Sequence, residues 1–370
     1  MPPPQARLPW ELEEEILTRL PPKVLVRFRT VCKQWNSLFN DRSFIYNHLS
    51  LPRPQFILLT KHTIYSIDIT DPTMKLLERH TSRLGLCLHN ANITTCDELL
   101  FFNYPRPWEK KTSLWNPWLR QVKWINLVVD KHFDVFGLGY DNSRPEKVYK
   151  MLGYMRYQIN VYPDRVVIYE CAFQTLRFID TPDEDMPMSE TAKSSHVSLN
   201  GNLYWIACNR QTREYFIQSF DFSSEIFKPV CLLPFQESPS CDEHVLAVFK
   251  GDRFSLLMQC YLTRKIDIWV TKRKIDDTEE VVWMKLMTLT ATNLPKLFNK
   301  LYGVSYFIYD KTLVMCCGDD ESGKPCIYIV KGDTCDKIHI GADLNSLASR
   351  ITWFSHCAYV PNWTSVPLEF

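Results

Sequence analysis

The sequence predicts a small all-helical module joined to a larger all-β body, the body a β-propeller of six blades. Three observations carry this expectation. From Leu8 to Leu49, LPWELEEEILTRLPPKVLVRFRTVCKQWNSLFNDRSFIYNHL packs three short amphipathic runs and two Leu-Pro steps into about forty residues. After Pro54 the pattern changes to short β-type segments rich in aromatics and broken by turn residues. Those segments come in pairs, and four strands recur roughly every fifty residues, the spacing of propeller blades.

In the head, Pro9 suits the first turn of a helix, where its missing N–H removes no bond. Glu11, Glu13, Glu14 and Glu15 follow, where the helix dipole favours anions. Leu12, Ile16, Leu17 and Leu20 form one apolar stripe at helical spacing. Pro21-Pro22 stops that helix and opens a second at Lys23, with Val24, Leu25 and Phe28 on its buried face. Thr30 is the expected N-cap of a third helix carrying Val31, Trp35, Leu38 and Phe39, and Asp41 caps a last turn with Phe44 and Ile45. A unit of this size has too little interior to hide every stripe. The surplus either packs on the β body or docks another protein's helices.

Residues 51–55 read as a Pro-rich linker, since Leu51-Pro52-Arg53-Pro54 makes a stiff spacer. This divides the chain into a helical module over 1–50, with its core at 7–49, and a β domain over 56–370. In the body, HVSLNGNLYWIA turns at Asn200-Gly201, VLAVFKGDRFSLLMQC at Gly251-Asp252 and VSYFIYDKTLVMCC at Asp310-Lys311. Each is followed by a second pair. Three more second pairs upstream, IYSIDITDPTMKLLE, TSLWNPWLRQVKWI and VVIYECAFQTLRFID, bring the count to six blades. The last apolar strand, Trp353 to Val360, has no partner downstream and is expected beside the first strands, closing the ring. A β-sandwich is the alternative, which the even spacing disfavours.

Composition sets bounds on function. A net charge of +1 over 370 residues gives no electrostatic case for nucleic acid or an anionic membrane as partner. Thirteen cysteines without recurrent spacing, several set in apolar runs as Cys87, Cys208 and Cys260 are, suit reduced thiols in a nuclear or cytoplasmic protein. MPPPQARLPW has no apolar core of a secretory leader, and no apolar run approaches membrane-spanning length. The sequons at Asn92 and Asn362 are therefore read as chance matches.

The head resembles an F-box. The residues that carry the likeness are Leu8-Pro9, Glu15-Ile16-Leu17, Leu20-Pro21, Val24-Leu25-Val26-Arg27-Phe28-Arg29, Val31-Cys32-Lys33 and Trp35, in order and spacing. Val24 stands where many relatives carry Ser or Thr. The resemblance implies a module that binds a Skp-type adaptor and through it a cullin-based ubiquitin ligase. Carried over by position, Leu8, Pro9, Ile16, Leu20, Pro21, Val24 and Leu25 face the adaptor, while Val31, Cys32 and Trp35 divide between that face and the module's own core. Lys23, Arg27, Arg29 and Lys33 alternate with core positions and read as a solvated rim suited to an acidic adaptor.

The body is similar to the F-box-associated, kelch-like interaction region of plant F-box proteins, on the strings LWNPWLRQVKWI, FGLGYD, VSLNGNLYWIA, SFDFSSEIFKPV, VFKGDRFSLLMQC and IDIWVTKR. CAFQTLRFID departs from the usual Ser-Trp-Arg-like step. Trp115-Asn116-Pro117 reads as a structural turn, with a binding role for Trp115 as the other reading.

No motif assembles catalysis: HExxH, P-loop and CxxC are all missing. Cys316 and Cys317 adjoin on a strand and point to opposite faces, Cys326 and Cys335 fit apolar rows, and Gly137-Leu138-Gly139 lacks the setting of a dinucleotide loop. His196, His339 and His356 lie far apart, although a propeller channel can gather such residues. No cofactor or metal is expected. The longer connections, Asn103 to Lys111, Thr181 to Ser195, Pro234 to His244 and Thr290 to Lys300, belong to one face, where binding concentrates. Tyr104, Trp108, Asp183, Glu184 and Asp185 are the candidate target contacts, tolerated insertions being the plain alternative. Three functional readings stand: a target-recruiting ligase subunit, an adaptor-binding scaffold or degenerate copy outside a ligase, and a propeller enzyme with a helical leader.

Overall fold

The computed structural model describes residues 8–20, 22–28, 30–39, 44, 54–60, 63–68, 74–78, 91–103, 111–128, 133–144, 146–155, 165–179, 196–209, 211–235, 242–275, 280–298, 303–340, 355–362 and 364–367. The head holds α1 (Trp10–Thr18), α2 (Pro22–Phe28) and α3 (Lys33–Leu38). Pro9 is the N-cap of α1 and lies just outside its first turn. Pro22 begins α2, one residue earlier than the sequence reading placed it, as a residue lacking an N–H can.

Thr30 does not cap the third helix. Its hydroxyl donates back to the Arg27 carbonyl at 3.0 Å, and the cap is Cys32, whose Sγ accepts from the Trp35 amide at 3.4 Å. Phe44 is buried, while Asp41 and Ile45 lie outside the described residues.

The body is six four-stranded antiparallel sheets. The first blade joins β1 (Gln55–Leu59), β2 (Ile64–Asp68) and β3 (Met74–Glu78) to the last strand of the chain, β24 (Ser355–Tyr359). The second holds β4 (Asn92–Cys96), β5 (Leu99–Asn103), β6 (Lys111–Asn116) and β7 (Gln121–Asn126); the third β8 (Phe133–Asp141), β9 (Val148–Met155), β10 (Arg165–Glu170) and β11 (Thr175–Phe178). The fourth is β12 (His196–Leu199), β13 (Asn202–Cys208), β14 (Tyr215–Asp221) and β15 (Ile226–Leu232); the fifth β16 (Glu243–Phe249), β17 (Arg253–Gln259), β18 (Ile266–Thr271) and β19 (Trp283–Leu289). The sixth is β20 (Ser305–Tyr309), β21 (Thr312–Gly318), β22 (Pro325–Lys331) and β23 (Thr334–His339). This is a propeller, and the sandwich alternative falls.

Ring closure follows the expected route. β24 pairs antiparallel with β1, Gln55 opposite Tyr359 and Leu59 opposite Ser355, so the first blade takes its innermost strand from the far end of the chain. Gln55, counted with the linker in the sequence reading, is already the first residue of this sheet.

Each seam between neighbouring blades has its own apolar core, which explains strands that are apolar on both faces. Ile57 and Leu59 face the second blade beside Phe102 and Trp115, whereas Phe56 and Leu58 face the sixth beside Phe307 and Val314. Cys316 and Cys317 divide in the same way, one toward the first blade and one toward the fifth. Cys326 and Cys335 join the row on the fifth-blade side. All eleven described cysteines are free thiols; Cys208 ends β13, Cys260 lies just past β17, and Cys87 is outside the described residues.

The hairpins keep their turn chemistry. Asn200 and Gly201 have φ of 53° and 80°, and Asp310 and Lys311 have 44° and 58°, the left-handed pairs that match strand twist. The turn expected at Gly251-Asp252 is a three-residue loop with Lys250 and Gly251 left-handed and Phe249 opposite Arg253. Gly139 sits inside β8, where a Cβ would stand 2.2 Å from the Gly201 carbonyl oxygen and 2.3 Å from the Phe222 ring. That glycine lets two blades touch.

Candidate functional site

The head sorts its apolar residues into two sets. Leu17, Leu25, Phe39 and Phe44 are buried together, with Leu20, Phe28, Trp35 and Leu38 packed on them. Leu12 and Ile16, four residues apart on one side of α1, are 46% and 51% exposed, Leu8 just before the Pro9 N-cap is 53% exposed, and Val31 before α3 is 59% exposed. The stripe read as one in sequence is therefore split. Leu17 and Leu20 turn inward, and Leu12 and Ile16 turn to water. Four such side chains on so small a surface are unpartnered apolar area.

The carried-over residues separate accordingly. Leu8, Pro9, Ile16, Val31 and Cys32 are exposed, and Leu20, Val24 and Trp35 are half-buried. Leu25 is wholly buried, in the cluster with Leu17, Phe39 and Phe44, and is not part of the exposed surface. Pro21 is outside the described residues. Leu12 was not carried over by position, yet it joins the exposed set; its i, i+4 relation to Ile16 within α1 was the available signal.

Local chemistry fixes this arrangement. Trp35 spends its indole N–H on Glu13 Oε2 at 3.2 Å and packs on Phe28 with ring centres 5.4 Å apart, tying α3 to α1 and α2. Glu11 and Glu13 occupy the first turn of α1, and Arg19 pairs with Glu15 at its end. Of the four basic residues read as a rim, Arg27 and Lys33 are exposed, and Arg29 and the Lys23 side chain lie outside the described residues.

The second candidate surface is one end of the ring. In an up-and-down blade the second-to-third strand loops and the connections to the next blade share one end. The strands flanking 103–111, 181–195, 234–244 and 290–300 open to that end together. Tyr104, Trp108, Asp183, Glu184 and Asp185 fall outside the described residues. At the same end Tyr261 and Leu262, in the short β17–β18 connection, are 50% and 81% exposed, and Phe298 meets Tyr261 edge-on at 5.5 Å. Phe235 stacks on His244 at 4.9 Å nearby. Loop length gave no signal for this group, because the β17–β18 connection is short.

The histidines occupy three separate places. His196 lies against Phe136 at 4.8 Å, His356 Nδ1 is 2.6 Å from Ser305 Oγ, and His339 Nδ1 is 3.4 Å from Cys326 Sγ. Burial pushes His196 and His356 down to about 4, so both are neutral packing groups near neutral pH. Trp115 is buried in the seam between the first two blades, which leaves it a structural part. Among the described residues no three His, Cys, Asp or Glu side chains stand together as a metal set.

Comparison with known proteins agrees with this layout. Residues 6–47 match the F-box domain, and residues 55–366 match the F-box associated beta propeller domain. The chain is 58% identical to the Arabidopsis thaliana protein Suppressor of NIM1 1, over 98% of this chain and 99% of that one. It is 50% identical to an Arabidopsis thaliana F-box protein over 98% of both chains. It is also 41% identical to Jacalin-related lectin 38 of the same plant, over 98% of this chain and 69% of that one.

Proposed function

The chain belongs to the plant F-box proteins that carry an F-box associated β-propeller, and we propose that within that family it is the target-recruiting, non-catalytic subunit of a Skp–cullin–F-box ubiquitin ligase. The carrying observation is that Leu8, Leu12, Ile16 and Val31 stay about half exposed although the core of Leu17, Leu25, Phe39 and Phe44 is filled, with Leu119 of the body, beside them. An apolar helical face with a basic rim suits helix-in-groove docking on an acidic adaptor. The propeller then holds a target near the charged transfer enzyme, and rate comes from effective concentration. The target contacts are assigned to the long-loop end, with Tyr261, Leu262 and Phe298 joining Tyr104, Trp108, Asp183, Glu184 and Asp185. The nucleus or cytoplasm is the proposed compartment, supported by the free thiols.

The test is binding of a purified Skp-type adaptor to the full chain, followed by reconstitution with a cullin. Replacing Leu8, Pro9 and Ile16 together by Ala is expected to abolish adaptor binding while the propeller melts as before. Retained binding would overturn the assigned face. Adaptor binding without cullin recruitment would move the protein to a role outside a ligase.

A further inference from the structure

Three successive blades carry the same turn between their third and fourth strands. It runs over Pro117–Arg120, Cys171–Gln174 and Phe222–Glu225, and each ends on a left-handed residue, Arg120, Gln174 and Glu225, with φ of 52°, 54° and 58°. In two of them the residue before the turn cups it. Asn116 Oδ1 accepts from the Trp118 and Leu119 amides at 3.0 and 3.2 Å, and Asp221 Oδ1 accepts from Ser223 and Ser224 at 2.8 and 3.2 Å. The third turn position is Leu119, Phe173 or Ser224. Phe173 is 68% exposed and Ser224 is exposed, so the blade itself does not cover this position. Leu119 is only 4% exposed.

What covers Leu119 is the head. Leu119 is a member of the core of Leu17, Leu25, Phe39 and Phe44, and Trp118 packs against the same group. The turn is also braced from the body side. Asn116 Nδ2 donates to Asn362 Oδ1 at 3.0 Å and to the Thr364 carbonyl at 2.8 Å, and the Tyr359 hydroxyl donates to Asn116 Oδ1 at 3.3 Å. The segment after β24 thus holds the turn in place. Chain geometry agrees, because Gln55 enters β1 and Tyr359 leaves β24 at the end of the ring that carries these turns.

The geometry points to a peg: Trp118 and Leu119, presented by the β6–β7 turn and clamped by Asn116, Asn362 and Thr364, lock the helical head to one end of the propeller in a single orientation. The adaptor face and the long-loop end are then held at a fixed separation, on opposite ends of the ring, by packing and not by the linker. The functional value of that separation rests on the ligase reading above; the lock itself does not.

The experiment is hydrogen exchange with small-angle scattering on the full-length chain. Leu119→Ser and Trp118→Ala are expected to speed amide exchange in α1 and α3 at least tenfold and to broaden the scattering profile. Exchange in the six sheets stays as it was. Trp118→Phe keeps an aromatic wedge and retains the locked profile. Phe173→Ser, the same position one blade on, is the control and changes neither reading. Unchanged head exchange in Leu119→Ser would overturn the peg, as would an equal response from Phe173→Ser. Sheet exchange that rises with head exchange in Leu119→Ser also overturns it, since the turn would then be holding the blade. Adaptor binding by the unmutated chain is scored separately: its absence removes the ligase reading and leaves the lock standing.

Discussion

The head leaves Leu8, Leu12, Ile16 and Val31 about half in water, whereas the propeller encloses both faces of its inner strands, β5 having five consecutive buried residues. The contrast follows from geometry. A blade has neighbours on two sides and seals alternate side chains into two seams. Three short helices have one small interior, and that interior here borrows Leu119 from the body to fill. The head thus fills its core with help from the body and still leaves apolar side chains half exposed, whereas the ring seals its own.

The hardest test of this contrast removes the head's core. Leu25→Asp places a charge where the native side chain is fully buried, and the head is expected to unfold, with adaptor binding and slow exchange in α1 and α3 both lost. The propeller's melting transition should remain; if it vanished, the two regions would be one cooperative unit. Leu25→Ala is the graded version, at about 2–5 kcal/mol.

Reversing the exposed line has a smaller effect of another kind. Leu12→Lys with Ile16→Lys should weaken adaptor affinity by about 2–4 kcal/mol in titration calorimetry, the range of interface hot spots. Stability should move by no more than about 0.5 kcal/mol, because both residues are already solvated. A large stability loss would mean the line is core after all.

In the body, Gly139→Ala forces a methyl group into the Gly201 carbonyl and the Phe222 ring. The expected outcome is a loss of about 1–3 kcal/mol in denaturant unfolding, confined to the propeller transition. Adaptor binding by the head should not change.

Mild acid gives the smallest and most gradual separation. Burial holds His196, His244 and His356 down to about 4 in the folded body, against about 6.5 unfolded. Between those values the unfolded chain binds more protons, so stability is full above about pH 6.5 and declines as pH falls toward 4. Each histidine contributes up to about 1.4 kcal/mol per pH unit in that window. Glu243, raised to about 7 by burial, works in the opposite sense, its contribution being lost as pH rises from about 4.5 through 7. Three groups against one leave a net acid weakening of the propeller, read as a lower melting temperature at pH 5 than at pH 7. The described residues of the head hold no histidine, so its exchange should respond less.

Much of this was legible locally. Leu-Pro steps and 3.6-residue spacing marked the helices, Asn200-Gly201 and Asp310-Lys311 marked hairpins through their tolerance of positive φ, and recurrent pairs numbered the blades. The unpartnered strand at the end of the chain foretold ring closure, because an apolar strand with an open edge needs a mate. Local pattern also put Leu12, Ile16 and Leu17 on one face, which the packed structure divided, Leu17 going into the core and the other two to water.

What the sequence by itself determined is therefore what depends on neighbours along the chain: helix and strand period, turn chemistry, blade count and family. The tertiary structure alone decided what depends on neighbours across it. Leu25 and Leu12 look alike in the sequence, yet one fills the head's core and the other meets water. Leu119 and Phe173 occupy one turn position in successive blades, yet the head packs on the first and the second stays in water. The physical reason is that burial is a property of the volume around a side chain, and distant segments fill that volume.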